Sequence, residues 1–414
     1  MKNTNLNPKP ILFLFLLFLF STSCVEEYWP EIEINSEQLL VVDGKITNFP
    51  GPYTIKLSTS SSSLYSPVAH PLSNASVVIM DNQGYSEELT EVEQGTYKTQ
   101  AGGLQGIVGN SYKIRIKLAN NKVYESEFEE MLDPVAVENL SVEESIRYTE
   151  DDSKTDQEGY QFYVSSQEGE SAKTYLYWEI EETYEYHANY KISFYYDGHF
   201  YDKTMNNPYG LTLMQNRDSL YYCWMTQKIH ERFTYSTEFL SAPKVNHLPL
   251  HFIPFSDTRL EHKYSISVTQ YSISNEAYIF YDKLKKQNEN SEELFTTQPF
   301  QIKGNIENIN NPNEAVLGYF MVASGSISPR LITKAPPRIQ YYRQTCEAYT
   351  NFNTIMAVIN QTPAENLPLF FVMVSVPAEN EDEAPEEAMA YVYRECVDCE
   401  TKGGTVKKPE YWDW

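Results

Sequence analysis

Hydrophobic and polar residues alternate along short segments between residues 38 and 133. Over residues 112–118, Tyr, Ile, Ile and Leu occupy every second position, and Lys, Arg and Lys occupy the positions between them. Because successive side chains of a strand point to opposite faces, this pattern predicts a strand with one face on a core and the other in solvent. Further β-prone runs between turn residues predict strands at residues 39–42, 53–57, 77–80, 96–99 and 123–128. Short strands at such close spacing indicate an immunoglobulin-like or transthyretin-like β-sandwich over residues 38–133.

A second, larger β-rich domain is predicted over residues 134–395. Pro134 marks the boundary, because proline cannot donate to a strand ladder and restricts the residue before it. Further β-prone runs predict strands at residues 160–164, 174–179, 264–271, 315–323, 369–376 and 390–394. One helix is predicted at residues 275–287, where apolar residues recur three and four positions apart, an acid lies near the start and lysines lie near the end. We expect this helix to pack across a sheet, so the predicted fold class is mainly β.

The segment 183–235 is unusually rich in aromatic residues, in a chain that has 33 Tyr residues. Tyr and Trp provide large amphipathic contact areas at low cost in conformational entropy, so the segment is a candidate contact surface for sugar rings, a peptide or a protein partner. The alternative is a long hairpin whose aromatic side chains fill a core. The candidate contact residues are Tyr184, Tyr186, Tyr190, Tyr195, Tyr196, Tyr201 and Trp224.

The first residues of the chain resemble a bacterial lipoprotein signal. Lysines precede an unbroken apolar run over residues 11–20, and small residues then lead to Cys24. The run is too short for a membrane span, which needs about 20 residues, so residues 1–23 are interpreted as a signal peptide. A cysteine at this position is typical of cleavage before Cys24 and acylation of the new N-terminus, for example with palmitate. An ordinary signal peptide with cleavage nearby is the alternative.

Residues 24–37 are then a lipidated N-terminal tether. Its acidic pair, Glu26 and Glu27, resembles the export signal that sends lipoproteins of Bacteroidota to the outer face of the outer membrane. The expected location is therefore the outer membrane, with a lipid anchor and exposure at the cell surface.

The remaining cysteines, Cys223, Cys346, Cys396 and Cys399, form an even set in an oxidising compartment. Disulfide bonds are therefore predicted, with three possible pairings that the sequence does not distinguish. The Cys-x-x-Cys spacing also occurs in zinc sites and redox motifs. A zinc site needs a second ligand pair at matching spacing, and a redox motif opens a helix, whereas residues 400–404 are typical of a turn. Residues 396–414 are interpreted as a cysteine-containing tail with a docked aromatic end.

The charge and the motifs of the chain exclude several classes of function. With 32 Lys and Arg against 57 Asp and Glu, the formal net charge is −25, which repels phosphate backbones, so no nucleic-acid partner is predicted. The sequence has no Gly-x-Ser-x-Gly, His-Glu-x-x-His or Walker motif, and its histidines lack metal-binding spacing. No catalytic residue, metal or cofactor is therefore predicted, and we expect a protein that is not an enzyme.

Several separated segments together resemble one family. They are residues 40–48 with 51–53, residues 76–79 with 81 and 84, residues 95–97, residues 305–306 with 316–320, and residues 396–399 with 403–405 and 408–409. In this order they resemble the Bacteroidota outer-membrane lipoproteins grouped as domain of unknown function 4249. The resemblance implies an accessory lipoprotein, typically encoded beside a TonB-dependent outer-membrane transporter, with an immunoglobulin-like N-terminal module and no assigned catalytic residues.

The leading functional expectation follows from this resemblance and from the aromatic segment. We expect a lipoprotein that sits on a TonB-dependent barrel and helps to capture or gate a nutrient, using the aromatic residues to contact the ligand or the barrel. The second hypothesis is an autonomous surface protein that binds a glycan or a peptide. The third is a hydrolase, which would require turnover that depends on carboxylate side chains.

Overall fold

The protein is described by a computed structural model over residues 39–60, 69–148, 155–200, 209–290, 302–336, 341, 346–377 and 384–413. The predicted signal peptide, the tether with Cys24, Glu26 and Glu27, and Tyr201 of the aromatic segment lie outside these residues. Strands are the dominant element of the described chain, so the mainly β fold class is confirmed.

The N-terminal part forms a β-sandwich, as the sequence predicts. Its strands are β1 (Leu40–Thr47), β2 (Thr54–Thr59), β3 (His70–Pro71), β4 (Ser76–Asp81), β5 (Ser86–Glu88), β6 (Thr90–Glu93), β7 (Thr96–Lys98), β8 (Ser111–Lys117), β9 (Val123–Ser126) and β10 (Glu129–Glu130). One sheet contains β1, β2, β7 and β6 in that order, and the other contains β9, β8, β4 and β5. The alternating residues Tyr112, Ile114 and Ile116 of β8 share one buried core with Val42 and Ile55, because each strand turns every second side chain inward.

The rest of the described chain contains thirteen further strands, two α-helices and five short 3-10 helices. Its strands are β11 (Val137–Arg147), β12 (Gln157–Ser166), β13 (Tyr175–His187), β14 (Phe194–Tyr196), β15 (Thr212–Leu213), β16 (Tyr222–Ser236), β17 (Leu248–Pro254), β18 (Tyr264–Ser272), β19 (Ile306–Asn308), β20 (Leu317–Ile327), β21 (Leu331–Thr333), β22 (Leu369–Val376) and β23 (Glu386–Val392). The helices of the described residues are α1 (Asn275–Asn290) and α2 (Phe352–Gln361). Short 3-10 helices lie at Thr258–Leu260, Ala364–Asn366, Arg394–Cys396, Cys399–Lys402 and Glu410–Asp413.

The largest sheet crosses the domain boundary that the sequence analysis places at Pro134. Within the described residues its order is β16–β13–β18–β20–β1–β2–β7–β6, and β20 pairs with β1 in parallel, so that Gly318 lies opposite Val42. Gly318 has a φ of +90°, and a Cβ on it would lie 1.8 Å from the carbonyl oxygen of Val42, so the close approach of the two strands requires glycine here. The division at residues 133 and 134 therefore does not divide the sheets, because β20 returns from late in the chain to extend the sandwich.

Two layers cover opposite faces of the strands that follow the sandwich. Phe162 and Ile253 of the three-stranded sheet β11–β12–β17 pack in one buried core with Trp178 of β13. Helix α1 covers the other face, where Ala277 and Phe280 pack in a core with Tyr319 of β20. This helix confirms the one predicted at residues 275–287, and its apolar stripe contacts the sheet as expected.

Helix α2 was not identified in the sequence. Asn351 begins it as an N-cap whose side-chain oxygen accepts hydrogen bonds from the backbone N–H groups of Asn353 at 2.9 Å and Thr354 at 3.2 Å. Ile355 and Ile359 then face the four-stranded sheet β15–β14–β22–β23. Neither helix in the described part of the chain has both the length and the apolar character needed to cross a membrane.

Candidate functional site

A cavity of about 600 Å³ opens where the end of β13 meets the C-terminal segments of the chain. This volume is typical of pockets that take small ligands, roughly 300–1,000 Å³. The lining residues are Tyr184, Tyr186, His187, Asn189, Met225, Thr258, Glu261, Cys346, Glu347, Tyr393, Glu395, Cys396 and Lys402. The wall thus combines aromatic rings, carboxylates and one lysine, contributed by segments that are far apart in the sequence.

Strand β13 supplies the aromatic part of the wall. Tyr184 and Tyr186 are two positions apart and therefore lie on one face of the strand, with their ring centroids 5.9 Å apart. The hydroxyl of Tyr186 donates to the carbonyl oxygen of Cys399 at 2.8 Å and accepts from the backbone N–H of Gly404 at 3.0 Å. These bonds fix the ring of Tyr186 in place. Burial raises the pKa of both hydroxyls above the ordinary value, so both remain protonated at neutral pH.

His187, which also lines the cavity, is held by polar contacts. A ring nitrogen of His187, Nε2, lies 2.9 Å from Oε1 of Glu185, and the other oxygen of Glu185 accepts from Nε1 of Trp412 at 2.8 Å. The hydrogen bond with His187 lowers the pKa of the Glu185 carboxyl below its ordinary value, so Glu185 is charged at neutral pH. The His187 ring also stacks on His262, with centroids 3.6 Å apart. These contacts orient the C-terminal Trp412 against β13.

Disulfide bonds tie the C-terminal segments to the rest of the cavity. Cys223 of β16 is bonded to Cys399, and Cys346 is bonded to Cys396, each pair with a Cα–Cα distance of 5.8 Å. The predicted disulfides are confirmed, and one of the three possible pairings is selected. The two cysteines of the Cys-x-x-Cys spacing are bonded to different parts of the chain, so this segment joins β16 and the segment before α2 across the cavity.

Hydrogen bonds from the aromatic segment reinforce this arrangement. The backbone N–H groups of Asn189 and Tyr190 both donate to the carbonyl oxygen of Cys396, at 2.9 Å and 3.0 Å. The hydroxyl of Tyr190 donates to the carbonyl oxygen of Cys346 at 3.1 Å. The segment that follows β13 is therefore hydrogen-bonded to both cysteines of the Cys346–Cys396 disulfide.

A buried ion pair positions the segment that carries Thr258 and Glu261. Nη1 of Arg259 lies 2.8 Å from both carboxylate oxygens of Glu182, a residue of β13 that is 1% exposed. The hydroxyl of Tyr264 donates to Glu182 at 2.6 Å, and burial raises the pKa of Tyr264 well above its ordinary value. This carboxylate resists displacement, because removing Arg259 would leave a buried charge. Arg259 is held in turn by Asp257, at 2.7 Å. The ion pair thus fixes the Thr258–Leu260 turn beside the cavity.

The predicted contact residues have different surroundings. Tyr184 and Tyr186 line the cavity. Tyr190 and Tyr195 are half-buried and pack beside the core that contains Cys396, whereas Tyr196 and Trp224 are only 9% and 8% exposed. The core interpretation therefore applies to Tyr196 and Trp224, whereas Tyr184 and Tyr186 remain candidates for ligand contact.

The other half of the cavity was not predicted from the sequence. Glu347 follows Cys346 directly, and Tyr393 and Glu395 precede Cys396, but their positions depend on a disulfide pairing that the sequence left open. Among the described residues, no group of three or more His, Cys, Asp or Glu side chains is placed to hold a metal ion. The side chains that line the cavity are suited to binding, through ring faces and through hydrogen-bonding groups.

Comparison with known families gives one match. A family model described as "Domain of unknown function (DUF4249)" matches residues 25–326, more than half of the chain. The match includes Tyr184, Tyr186 and Glu261 of the cavity, whereas Glu347 and Glu395 lie beyond it. None of the curated proteins matches the chain.

Proposed function

The chain belongs to the DUF4249 family, and from this premise we propose that it is a non-enzymatic lipoprotein of the outer membrane that assists a TonB-dependent transporter in nutrient capture or gating. The observation that carries the proposal is the cavity between Tyr184, Tyr186 and the C-terminal segments. Fixed aromatic walls can hold a nutrient without transforming it, because they provide contact area at little cost in conformational entropy.

The proposed location rests on the N-terminal sequence. The apolar run before Cys24 and the acidic pair Glu26 and Glu27 support lipid anchoring and export to the outer face of the outer membrane. Acylation with more than one chain gives stable anchoring, whereas one chain alone gives marginal binding. The disulfides agree with a compartment outside the reducing cytosol.

The partner is tested by isolating the protein from its native membrane. The full chain with a C-terminal tag is extracted from the outer membrane in mild detergent, and co-purifying proteins are identified by mass spectrometry. A TonB-dependent barrel in stoichiometric amount is the expected result, and its absence would contradict the accessory role. The Cys24→Ala variant serves as a control, because it should lose labelling with an alkyne palmitate analogue and leave the membrane fraction.

An autonomous binding protein is the second candidate function. It is favoured by one observation, namely that hydrogen bonds within the chain already hold the Tyr186 wall of the cavity in place. Such a protein would bind a glycan or a peptide in purified form, with no barrel present. Screening the purified chain on glycan and peptide arrays tests this function separately from the pull-down.

The role of the cavity is tested by substitutions with opposite expected effects. Tyr184→Ala should weaken ligand binding and lower stability less than truncation of a fully buried ring, because Tyr184 is half-buried between the cavity and the core around Trp178. Trp224→Ala should instead lower the free energy of unfolding by roughly 3–5 kcal/mol, the usual cost of truncating a buried Trp. Tyr85→Ala is the matched control, since Tyr85 is 53% exposed on the sandwich. Equal ligand binding by Tyr184→Ala and the control would contradict a role for the cavity.

A further inference from the structure

The charges around the cavity identify the chemical class of its ligand. Glu261, Glu347 and Glu395 line it together with Tyr rings, and Lys402 is the one lysine or arginine among the described lining residues. We propose that the cavity binds a ligand through a positively charged amine or guanidinium group, as found on a basic peptide. This inference rests on the proposed ligand-binding function and adds the class of ligand to it.

One disulfide limits the distance between the backbones of Glu347 and Glu395. Glu347 follows Cys346 and Glu395 precedes Cys396, and the Cα atoms of the bonded cysteines are 5.8 Å apart. Since consecutive Cα atoms are about 3.8 Å apart, the Cα atoms of Glu347 and Glu395 can be separated by no more than about 13 Å. Both residues line the cavity, so their carboxylates can approach a single cationic ligand. We refer to Glu347, Tyr393 and Glu395 as the rim of the cavity.

The rim also carries exposed aromatic surface. Tyr393, two residues before Glu395, is 48% exposed, and its ring meets the ring of Tyr349 edge to face with centroids 6.0 Å apart. The hydroxyl of Tyr349 donates a hydrogen bond to Glu347. A cation between these groups would gain both a charge-assisted hydrogen bond and contact with a ring face.

At two other places in the protein, one cationic side chain contacts both a carboxylate and a Tyr ring. Nζ of Lys191 lies 2.6 Å from Asp218 and 4.9 Å from the ring centroid of Tyr221. Arg330 contacts Glu181 and lies 4.2 Å from the ring centroid of Tyr411. In both cases a carboxylate and a Tyr ring bind one cation, so the same pair of groups at the cavity is chemically suited to a cation supplied by a ligand.

Other ligand classes fit the cavity less well. An anionic ligand would face three carboxylates and one lysine, in a chain with a formal net charge of −25, and would be repelled. A neutral glycan could stack on Tyr184 and Tyr186, but it would gain nothing from the negative charge of Glu347 and Glu395. Binding of a cation uses both the rings and the carboxylates.

The test compares short peptides that differ only in charge. The purified full chain is titrated with dye-labelled random peptides that contain arginine, and with the same peptides in which citrulline, a neutral isostere, replaces arginine. We expect the arginine peptides to bind at least about tenfold more tightly, a difference of about 1.4 kcal/mol. Raising the salt from about 0.1 M to about 1 M should weaken their binding, because the Debye length falls from about 10 Å to about 3 Å.

A double variant locates the binding to the rim. Glu347→Gln with Glu395→Gln should weaken arginine binding about tenfold, and its folding should be unaffected because both side chains are exposed. Glu93→Gln with Glu130→Gln changes the net charge equally on the sandwich, where both residues are exposed, and should leave binding unchanged.

Other results would overturn the proposal in distinguishable ways. Equal binding of arginine and citrulline peptides, or full binding by the rim variant, would overturn the cationic class. If neutral oligosaccharides bound instead and Tyr184→Ala abolished that binding, the ligand-binding function would stand with another class of ligand. If neither peptides nor oligosaccharides bound, the cationic inference would fail, and the pull-down alone would decide the accessory role.

Discussion

At the scale of single residues, the carboxylate of Glu182 is central to the geometry of the cavity. It is 1% exposed and contacts Arg259 and Tyr264. Glu182→Gln removes one of the two carboxylates that pair with Arg259, the other being Asp257, and weakens the hydrogen bonds to Arg259 and Tyr264, so we expect the free energy of unfolding to fall by roughly 2 kcal/mol. Chemical denaturation measures this change. The control is Glu181→Gln, because the side chain of Glu181 is 45% exposed beside Arg330 and such pairs contribute less than about 1 kcal/mol. An equal loss of unfolding free energy in the two variants would contradict a special role for the buried Glu182 carboxylate.

Glu129 links the sandwich to helix α1 and makes stability depend on pH. Its carboxyl accepts hydrogen bonds from Ser274 Oγ at 2.7 Å and from the hydroxyl of Tyr319 at 3.0 Å. Burial raises the pKa of Glu129 from 4.5 to about 7. Between these pH values the folded state holds a proton that the unfolded state has lost, so the stabilisation is fully present below the unfolded pKa and is lost as pH rises through about 7.

Glu129→Gln should remove this part of the pH dependence, since the amide is neutral throughout. Relative to the variant, we expect the free energy of unfolding of the natural chain to fall by roughly 2 kcal/mol between about pH 5 and about pH 8. Denaturant titrations at both pH values measure it. The neighbouring, exposed Glu130→Gln is the control and should follow the natural chain. Identical pH profiles for the natural chain and Glu129→Gln would contradict the assignment.

At the scale of elements, locally encoded structure could be predicted from the sequence. The apolar periodicity of α1 lies within a few helical turns, and the alternation in β8 lies within a few residues. Both elements could therefore be placed from the local sequence. Helix α2 also has a local signal, an Asn351 cap followed by Ile355 and Ile359 four residues apart, which the sequence analysis did not recognise. The pairing of β1 with β20 has no local signal, because its partners are separated by more than half of the chain.

Only half of the cavity could be predicted, because only that half has a local sequence signal. Tyr184 and Tyr186 stood out because their segment is rich in aromatic residues. Glu347 and Glu395 are ordinary acids in an acidic chain, and the Cys346–Cys396 disulfide and the bridge between Tyr349 and Tyr391 bring them together. Four cysteines allow three pairings, so the sequence could not select the one that completes the wall.

The Cys346–Cys396 disulfide should therefore stabilise the wall that it completes. The bonded residues are separated by 50 positions in the sequence, and closing a loop of this length in the unfolded chain is worth about 3–4 kcal/mol. Cys346→Ser with Cys396→Ser should lower the free energy of unfolding by this amount, measured by denaturant titration of the variant. The exposed double variant Glu93→Gln with Glu130→Gln is the control for an unchanged fold. A loss below about 1 kcal/mol would show that backbone hydrogen bonds alone hold the segment.

At the scale of the whole molecule, the N-terminal sandwich is completed by residues from the far end of the matched region. Strand β20 pairs with β1, and β19 pairs with β9, so both sheets of the sandwich receive a late strand. A boundary drawn at Pro134 follows the order of the chain but cuts through this shared core. The cavity depends on the same sheet, because β13 supplies part of its wall and belongs to that sheet.

Residues 38–133 alone should therefore fail to fold. Four side chains of the sandwich core come from outside this fragment: Ile306, Val316, Phe320 and Val322. Losing them removes roughly 6–12 kcal/mol of burial, comparable with the whole stability of a typical domain, about 5–15 kcal/mol. We expect the fragment to give a poorly dispersed NMR spectrum and no cooperative thermal transition. The matched control is the same fragment joined through a flexible linker to residues 302–327, which should regain a cooperative transition because β19 and β20 are restored. A cooperative transition in the fragment alone would mean that β1 and β9 need no late partner, and that the sandwich is an independent domain after all.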